Sequence, residues 1–195
     1  MKNIGGLLAI RRQSVKQKGF SLIEVSIVTA IVLLLAIIGI PAIGGYVVEN
    51  KVPKVGEELA RFILQAKVNA PSGSSSPYND IDINHLANHV RESSIFVVSG
   101  APSATRVLHG LGSDGEVTIA PARSGAAFAI TLSKVNAAAC PGIASVMQRL
   151  AEEITVAADG QSAAVVKDIN TGYNALTTES RCGAGDVNTF VFTAS

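Results

Sequence analysis

The sequence predicts an α+β protein in which one long N-terminal α-helix packs on an antiparallel β-sheet. Three observations lead to this fold class. A long uncharged run, residues 25–48, is rich in Val, Ile, Leu and Ala. An amphipathic stretch follows it directly. The rest of the chain consists mostly of short runs of β-branched residues separated by Gly, Pro, Asn or Asp, which is typical of strands and turns.

The composition suits one folded domain with an additional apolar segment. The chain has 195 residues, of which 48% are hydrophobic and 16% charged, and this is too apolar for a disordered protein. The segment before Phe20 contains no acid but five basic residues, namely Lys2, Arg11, Arg12, Lys16 and Lys18. The remainder is mildly acidic, which argues against nucleic acid as the primary ligand.

The apolar run is long enough to cross a membrane. As a helix, residues 25–48 would extend about 36 Å, against about 30 Å of bilayer hydrocarbon, with the basic flank on the cytoplasmic side. Three interpretations compete: a plain anchor, an ordinary secretory signal cleaved near residues 42–44, and a leader removed before the run. The length disfavours the ordinary signal, whose apolar region typically covers about 7–15 residues.

Glu24 distinguishes the two remaining interpretations. A charged side chain at the centre of a bilayer costs roughly 2.5–3.5 kcal/mol on insertion scales, and less near the interface. A plain anchor has no use for this carboxylate. A subunit with a new amino terminus at Phe20 does, because that amine on a neighbouring subunit can neutralise the acid.

Residues 18–24, Lys-Gly-Phe-Ser-Leu-Ile-Glu, resemble the processing site of the type IV pilin superfamily. The resemblance implies that prepilin peptidase cuts between Gly19 and Phe20, that Phe20 is then N-methylated, and that Phe20 and Glu24 act in assembly. It also implies a pilin-like fold whose N-terminal helix is a membrane anchor first and the filament core later. The expected partners are further copies of the chain, the peptidase and the inner-membrane assembly machinery.

Two prolines follow in the same helix. Pro41 lies where many family members carry a helix-bending proline, and with Gly39 it is expected to make the helix flexible, because proline removes a backbone hydrogen bond and clashes with the preceding turn. Pro53 lies where the helix of the family normally continues, so it leaves open whether the helix is unbroken there.

The subclass is open between two branches. The 19-residue leader resembles that of type IVb pilins, whereas Phe20 as first mature residue is more usual in type IVa pilins and pseudopilins. Over the whole chain, the spacing is most similar to the major pilins of type IVb and conjugative thin pili. In these a Cys begins a late helix, and a final strand of the Asn-Thr-Phe-Val-Phe-Thr kind ends the chain.

The second half of the helix is amphipathic and is expected to end near Asn69, before Pro71 and a serine-rich loop. Its apolar positions fall at helical spacing, at Val55, Leu59, Phe62, Ile63 and Ala66. The predicted organisation is therefore a leader over residues 1–19, a helix over 20–70 and a globular head over 71–195. Within the helix, residues 20–48 are the transmembrane and filament-core part and residues 49–70 the amphipathic part.

The head is predicted to contain two further helices and six strands. The helices cover residues 82–91 and 141–151, the second beginning with a proline that suits a first helical turn. The strands cover residues 95–99, 105–108, 116–120, 126–132, 161–166 and 189–193.

The chain has two cysteines, Cys140 and Cys182. An even pair indicates a disulfide in an exported protein and two free thiols in a cytosolic one. The pilin resemblance favours a disulfide that bounds an exposed C-terminal region, including residues 159–160 and 172–174. The chain-entropy model assigns such a bridge about 4 kcal/mol.

No motif in the sequence indicates an enzyme, a cofactor or a metal site. Residues 110–115 fit G-x-G-x-x-G, but a strand follows where a dinucleotide site needs a helix, so a hairpin loop is predicted. His85 and His89 lie four apart, and two histidines alone do not make a zinc site, so a solvated helix face is predicted. The pairs 80/82 and 152/153 are expected to be exposed acids.

These observations predict a structural subunit of a type IV pilus. The precursor would insert in the inner membrane, and the processed chain would polymerise into an extracellular fibre for adhesion, aggregation or mating contact. Two alternatives remain at this stage: a pseudopilin of a type II secretion-like machine, and a membrane-anchored binding module that is never processed.

Overall fold

A computed structural model describes the backbone of residues 19–195 except residue 102. The predicted leader, apart from Gly19, lies outside the described residues. The chain divides between residues 40 and 41 into two compact units.

Helix α1, Leu22–Val68, is the longest element. Its start is capped locally, since the Ser21 N–H donates to Glu24 Oε2 at 3.0 Å and the Ile23 N–H to Ser21 Oγ at 3.4 Å. The helix continues without a break at Pro53. Pro53 is exposed, so water can satisfy the backbone carbonyl that loses its partner there.

The second unit contains a seven-stranded sheet in the order β1-β2-β3-β4-β7-β5-β6, in which every neighbouring pair is antiparallel. The strands are β1 Val97–Ser99, β2 Arg106–Leu108, β3 Glu116–Ala122, β4 Ala127–Asn136, β5 Glu153–Ala158, β6 Ala164–Lys167 and β7 Asp186–Ala194. The remaining α-helices are α2 Ile83–Val90, α3 Cys140–Met147 and α4 Ala175–Glu179. The predicted fold class is confirmed.

Strand β5 and helix α4 were missed by the sequence prediction. β5 alternates half-buried and buried residues along its whole length, as a strand with one face on the core should. This signal is present in the sequence, but the acid pair at 152–153 was interpreted as exposed surface. α4 has only five residues and carries no periodicity that a sequence pattern could reveal.

The core of the second unit lies between the sheet and the amphipathic part of α1. Val55, Leu59 and Ile63 of α1 are fully buried. Phe62 packs edge-on against Phe128 of β4, with ring centroids 6.2 Å apart. Most of the remaining core side chains come from β4, β5, β7 and α3, among them Ile130, Leu132, Ile143, Met147, Ile154, Phe190 and Phe192. Apolar burial of this kind is the main source of folding free energy.

Gly56 brings α1 close to α3. A Cβ atom added at Gly56 would lie 2.3 Å from Cγ1 of Val146, well inside van der Waals contact. We therefore expect Gly56→Ala to destabilise the head by about 1–3 kcal/mol, although alanine is the better helix former. Thermal unfolding of the full chain in detergent would measure this. Gly44→Ala in the same helix is the matched control, since a Cβ there meets nothing within 4 Å; equal effects of the two substitutions would contradict the packing argument.

His109, in the connection from β2 to β3, is fully buried. Its Nε2 lies 2.8 Å from the Ser133 carbonyl oxygen, and its Nδ1 accepts the Leu111 N–H at 3.0 Å. The ring is therefore neutral, with its proton on Nε2. Burial lowers the pKa of His109 below the ordinary value, and this effect outweighs the hydrogen bonds that act in the opposite direction.

Because the pKa of His109 is lower in the folded than in the unfolded chain, the unfolded chain takes up a proton first as the pH falls. We expect the free energy of unfolding to decrease below about pH 6.5, by up to about 1.4 kcal/mol per pH unit from this group. Denaturant unfolding between pH 7.5 and 5 measures the slope. His109→Gln should start from a lower stability but lose this contribution to the slope; an unchanged slope would assign it to other groups.

Candidate functional site

The N-terminal end of α1 presents the residues on which processing and assembly are expected to depend. Gly19, Phe20 and Glu24 are all exposed, Phe20 to 86%. Glu24 lies in the first helical turn, where the positive end of the helix dipole favours a carboxylate. One of its oxygens accepts the Ser21 N–H, and a carboxylate can accept further bonds.

The first unit exposes an apolar surface along α1. The large apolar side chains between Leu22 and Ile40 are more than half exposed. The most apolar part of the helix is not buried, and the helix is apolar and long enough to cross a membrane by length and composition.

The polar side chains of this apolar part are satisfied within the helix. Ser26 Oγ donates to the Leu22 carbonyl at 2.8 Å, and Thr29 Oγ1 to the Val25 carbonyl at 2.7 Å. Such back-bonding lets a hydroxyl lie in an apolar environment without an unpaired donor. The segment is thus suited to lipid or to the apolar surfaces of other helices.

The flexibility expected at Gly39 and Pro41 remains a prediction. A Cβ atom at Gly39 would meet nothing within 4 Å, so within the described chain no close neighbour requires glycine there. A role for Gly39 in bending or in contact with another subunit is compatible with this open space.

Cys140 and Cys182 form a disulfide, with their Cα atoms 6.1 Å apart. The bridge joins the start of α3 to the residues after α4, and the segment between them contains β5, β6 and α4. Residues 159–160 are exposed, as expected. Tyr173 is half-buried instead, because its hydroxyl donates to the Pro141 carbonyl at 3.0 Å and contacts Ser145 Oγ at 3.0 Å.

The acid pair at 152–153 is not an isolated pair of exposed charges. Arg123 donates to Glu152 at 2.8 Å and to Glu153 at 3.2 Å, and both acids are half-buried. The pKa of Glu152 is lowered by its hydrogen bond from Ser195 and then by Arg123. These hydrogen bonds connect the β3–β4 turn to the start of β5. The partners lie about 30 residues apart in the chain, so the sequence pattern did not indicate this structural role.

The glycine-rich run at 110–115 is the connection between β2 and β3, which pair antiparallel, so the predicted hairpin loop is confirmed. A Cβ at Gly112 would lie 1.9 Å from the Lys134 carbonyl oxygen, so the loop packs against the backbone of β4. Its glycines therefore serve close packing.

The two helix α2 histidines differ in environment. His85 is exposed and bonded to Asp82, whereas His89 is half-buried and its ring lies 6.1 Å from that of Phe62. The prediction of a uniformly solvated face is wrong for His89, because the end of α1 covers one side of α2. Among the described residues there is no group of three or more His, Cys, Asp or Glu side chains that could hold a metal ion.

Two family models match the sequence. The prokaryotic N-terminal methylation motif matches residues 15–40, and the PilS N-terminal family matches residues 112–195. Among curated proteins, no relative matches the chain.

Solved pilin structures are also similar. A type IVb pilin from Salmonella typhi is 19% identical, with 71% of this chain and 94% of that chain covered and a TM-score of 0.48. TcpA, a type IV pilin from Vibrio cholerae El Tor biotype, is 15% identical, with 75% and 99% covered and a TM-score of 0.45.

Both TM-scores are below 0.5, so the identification depends on the two sequence segments. These segments lie at opposite ends of the chain. One contains the expected processing site and the first part of the apolar run, and the other contains the disulfide and the C-terminal strands. The chain belongs to the type IV pilins, a structural and non-catalytic family, and carries the N-terminal methylation motif and a PilS N-terminal domain.

Proposed function

We propose that this pilin is made as a membrane-inserted precursor, is cleaved between Gly19 and Phe20, and polymerises into an extracellular fibre. The observation that carries this proposal is the combination of one carboxylate, Glu24, with an uncharged helical surface that the described chain leaves exposed. A soluble protein rarely exposes so large an apolar surface, so lipid and then neighbouring subunits are its proposed surroundings.

The proposed cleavage removes the leader, residues 1–19, and leaves a chain made of the helix, residues 20–70, and the head, residues 71–195. Prepilin peptidase would release Phe20 as the new first residue, with N-methylation following. Gly19 and Phe20 lie ahead of the first residue of α1 and are exposed, so a protease can reach the bond between them.

Glu24 is proposed to set the register between subunits. A carboxylate in an apolar filament core is costly unless it is paired, and the amine that cleavage creates at Phe20 of a neighbouring subunit supplies the opposite charge. Within the chain, Glu24 Oε2 accepts the Ser21 N–H, which aims the carboxylate at the start of the helix. The new amine would lie at that same end in each subunit.

The finer assignment is a major pilin of the type IVb or conjugative thin-pilus kind, acting in adhesion, aggregation or mating contact. Two features support it: α3 begins at Cys140, and β7, Asp186–Ala194, is the last strand. The proposed partners are further copies of the chain, prepilin peptidase and the inner-membrane assembly machinery. The proposed location is the inner membrane before assembly and the extracellular fibre afterwards.

Mass spectrometry of the full-length protein from membranes tests processing directly. We expect a chain that begins at Phe20 and carries a methyl group, because the exposed Gly19–Phe20 bond precedes the helix. Reduction should add one hydrogen to each of Cys140 and Cys182, which serves as an internal control for export. A chain that retains residues 1–19 would overturn the processing proposal, and a start near Gly45 would indicate an ordinary secreted domain.

Replacement of Glu24 tests its proposed role in register. In Glu24→Ala, cleavage should persist while fibre yield falls by at least about tenfold, because the neighbouring Phe20 amine is left unpaired in an apolar core, which typically costs about 3–5 kcal/mol. Electron microscopy and sheared-fibre yield measure this. Glu49→Ala, which removes the next acid of α1, is the matched control and should assemble normally. Normal fibres from Glu24→Ala would rule out the register role.

A further inference from the structure

A groove of about 530 Å³ lies between the C-terminal end of α1, the following loop and α2. Its walls combine apolar side chains with polar side chains that carry nitrogen and oxygen atoms. The polar side chains on this groove include Asp80, His85, Asn88 and His89.

His85 and His89 occupy the same side of α2. Residues four apart on a helix have Cβ atoms about 5–6 Å apart, which is close enough for one ion to contact both imidazoles. Both residues line the groove. Imidazole is a preferred ligand of copper, nickel and zinc.

Asp82 orients the His85 ring for metal binding. Asp82 is the N-cap of α2, and its Oδ1 lies 2.7 Å from His85 Nδ1. The Asp82 backbone N–H also lies 3.3 Å from this nitrogen. The carboxylate oxygen is much the nearer of the two groups, so we assign the proton to Nδ1, which donates to Asp82 and leaves the lone pair on Nε2. Metal-binding histidines usually have this second partner, which fixes the ring and its tautomer.

His89 contributes an independent observation. Its Nε2 is shielded from solvent and has no hydrogen-bond partner among the described residues. Buried polar atoms are normally paired, so an unpaired one calls for a ligand or another explanation. A bound cation would give this nitrogen its partner.

The other histidine and the cysteines are not available to a metal. The sequence has three histidines and two cysteines. Both ring nitrogens of the buried His109 are hydrogen-bonded, and Cys140 and Cys182 are joined in the disulfide. His85 and His89 are therefore the imidazole ligands that the folded chain can offer.

We propose that His85 and His89 chelate one divalent first-row transition metal ion in this groove, with Asp82 as the residue that orients His85. Water completes the coordination, since no third His, Cys, Asp or Glu forms a cluster with the pair in the described chain. Copper(II) is the preferred ion, because it binds most tightly in the divalent series and accepts tetragonal nitrogen and oxygen ligands. The ion joins adjacent turns of α2 and stabilises the wall that α2 contributes to the groove.

Copper(II) titration of the protein isolated from membranes and kept in detergent tests this site. We expect one copper per chain and an electron paramagnetic resonance spectrum with coupling to imidazole nitrogens. His85→Gln should lower the affinity by about 10–100-fold. This residue is exposed, so the substitution should leave the fold intact, as thermal unfolding without metal would verify.

Two further variants separate chelation from a general effect on the groove. Asp82→Asn keeps a good N-cap but removes the carboxylate, and it should weaken copper binding by about tenfold or more. Asn88→Ala changes the same groove without removing an imidazole and should bind copper as the unchanged chain does.

Thermal unfolding provides a second readout. Excess nickel or zinc should raise the midpoint of the unchanged chain, since a ligand of the folded state stabilises it by mass action. The shift should disappear in His85→Gln. The proposal is overturned if copper affinity is the same in His85→Gln, if the spectrum shows oxygen ligands alone, or if nickel and zinc leave the midpoint unchanged.

Discussion

The head depends on the burial of one face of α1 against the sheet. Val55, Leu59 and Ile63 lie on this face without any solvent exposure, and Phe62 packs edge-on against Phe128 of β4. The same helix continues towards the N-terminus as an uncharged segment that buries nothing within the described chain. One helix thus serves two environments, with an amphipathic pattern where it meets its own sheet and a uniformly apolar pattern where it meets lipid or other subunits.

The last strand, β7, joins the two parts of the sheet. β7 pairs with β4 on one side and with β5 on the other, so the end of the sequence lies near the middle of the sheet. The disulfide joins the two ends of the segment that contains β5, β6 and α4. This arrangement lets the segment present an exposed surface while its ends are held by both a covalent bond and strand pairing.

Charged and polar side chains are paired differently in the two units. In the first unit Glu24 carries the charge at the start of the apolar run, and the hydroxyls of Ser26 and Thr29 are satisfied within the helix. In the second unit Arg123 pairs with Glu152 and Glu153, and the buried His109 is hydrogen-bonded at both ring nitrogens. The two hydroxyls in the apolar segment therefore find partners in the preceding turn, whereas Arg123 and His109 find theirs in distant parts of the chain.

The long helix, its change from apolar to amphipathic character and the antiparallel α+β class could be predicted from the sequence, because they depend on local patterns of charge and hydropathy. The type IV pilin identity came from the resemblance of residues 18–24 to the processing site of that family. The sheet order, the position of β5 between β7 and β6, and the cover that α1 places over His89 became known only from the tertiary structure. These features join residues far apart in the chain, and local periodicity does not encode which distant partner a strand or side chain will meet.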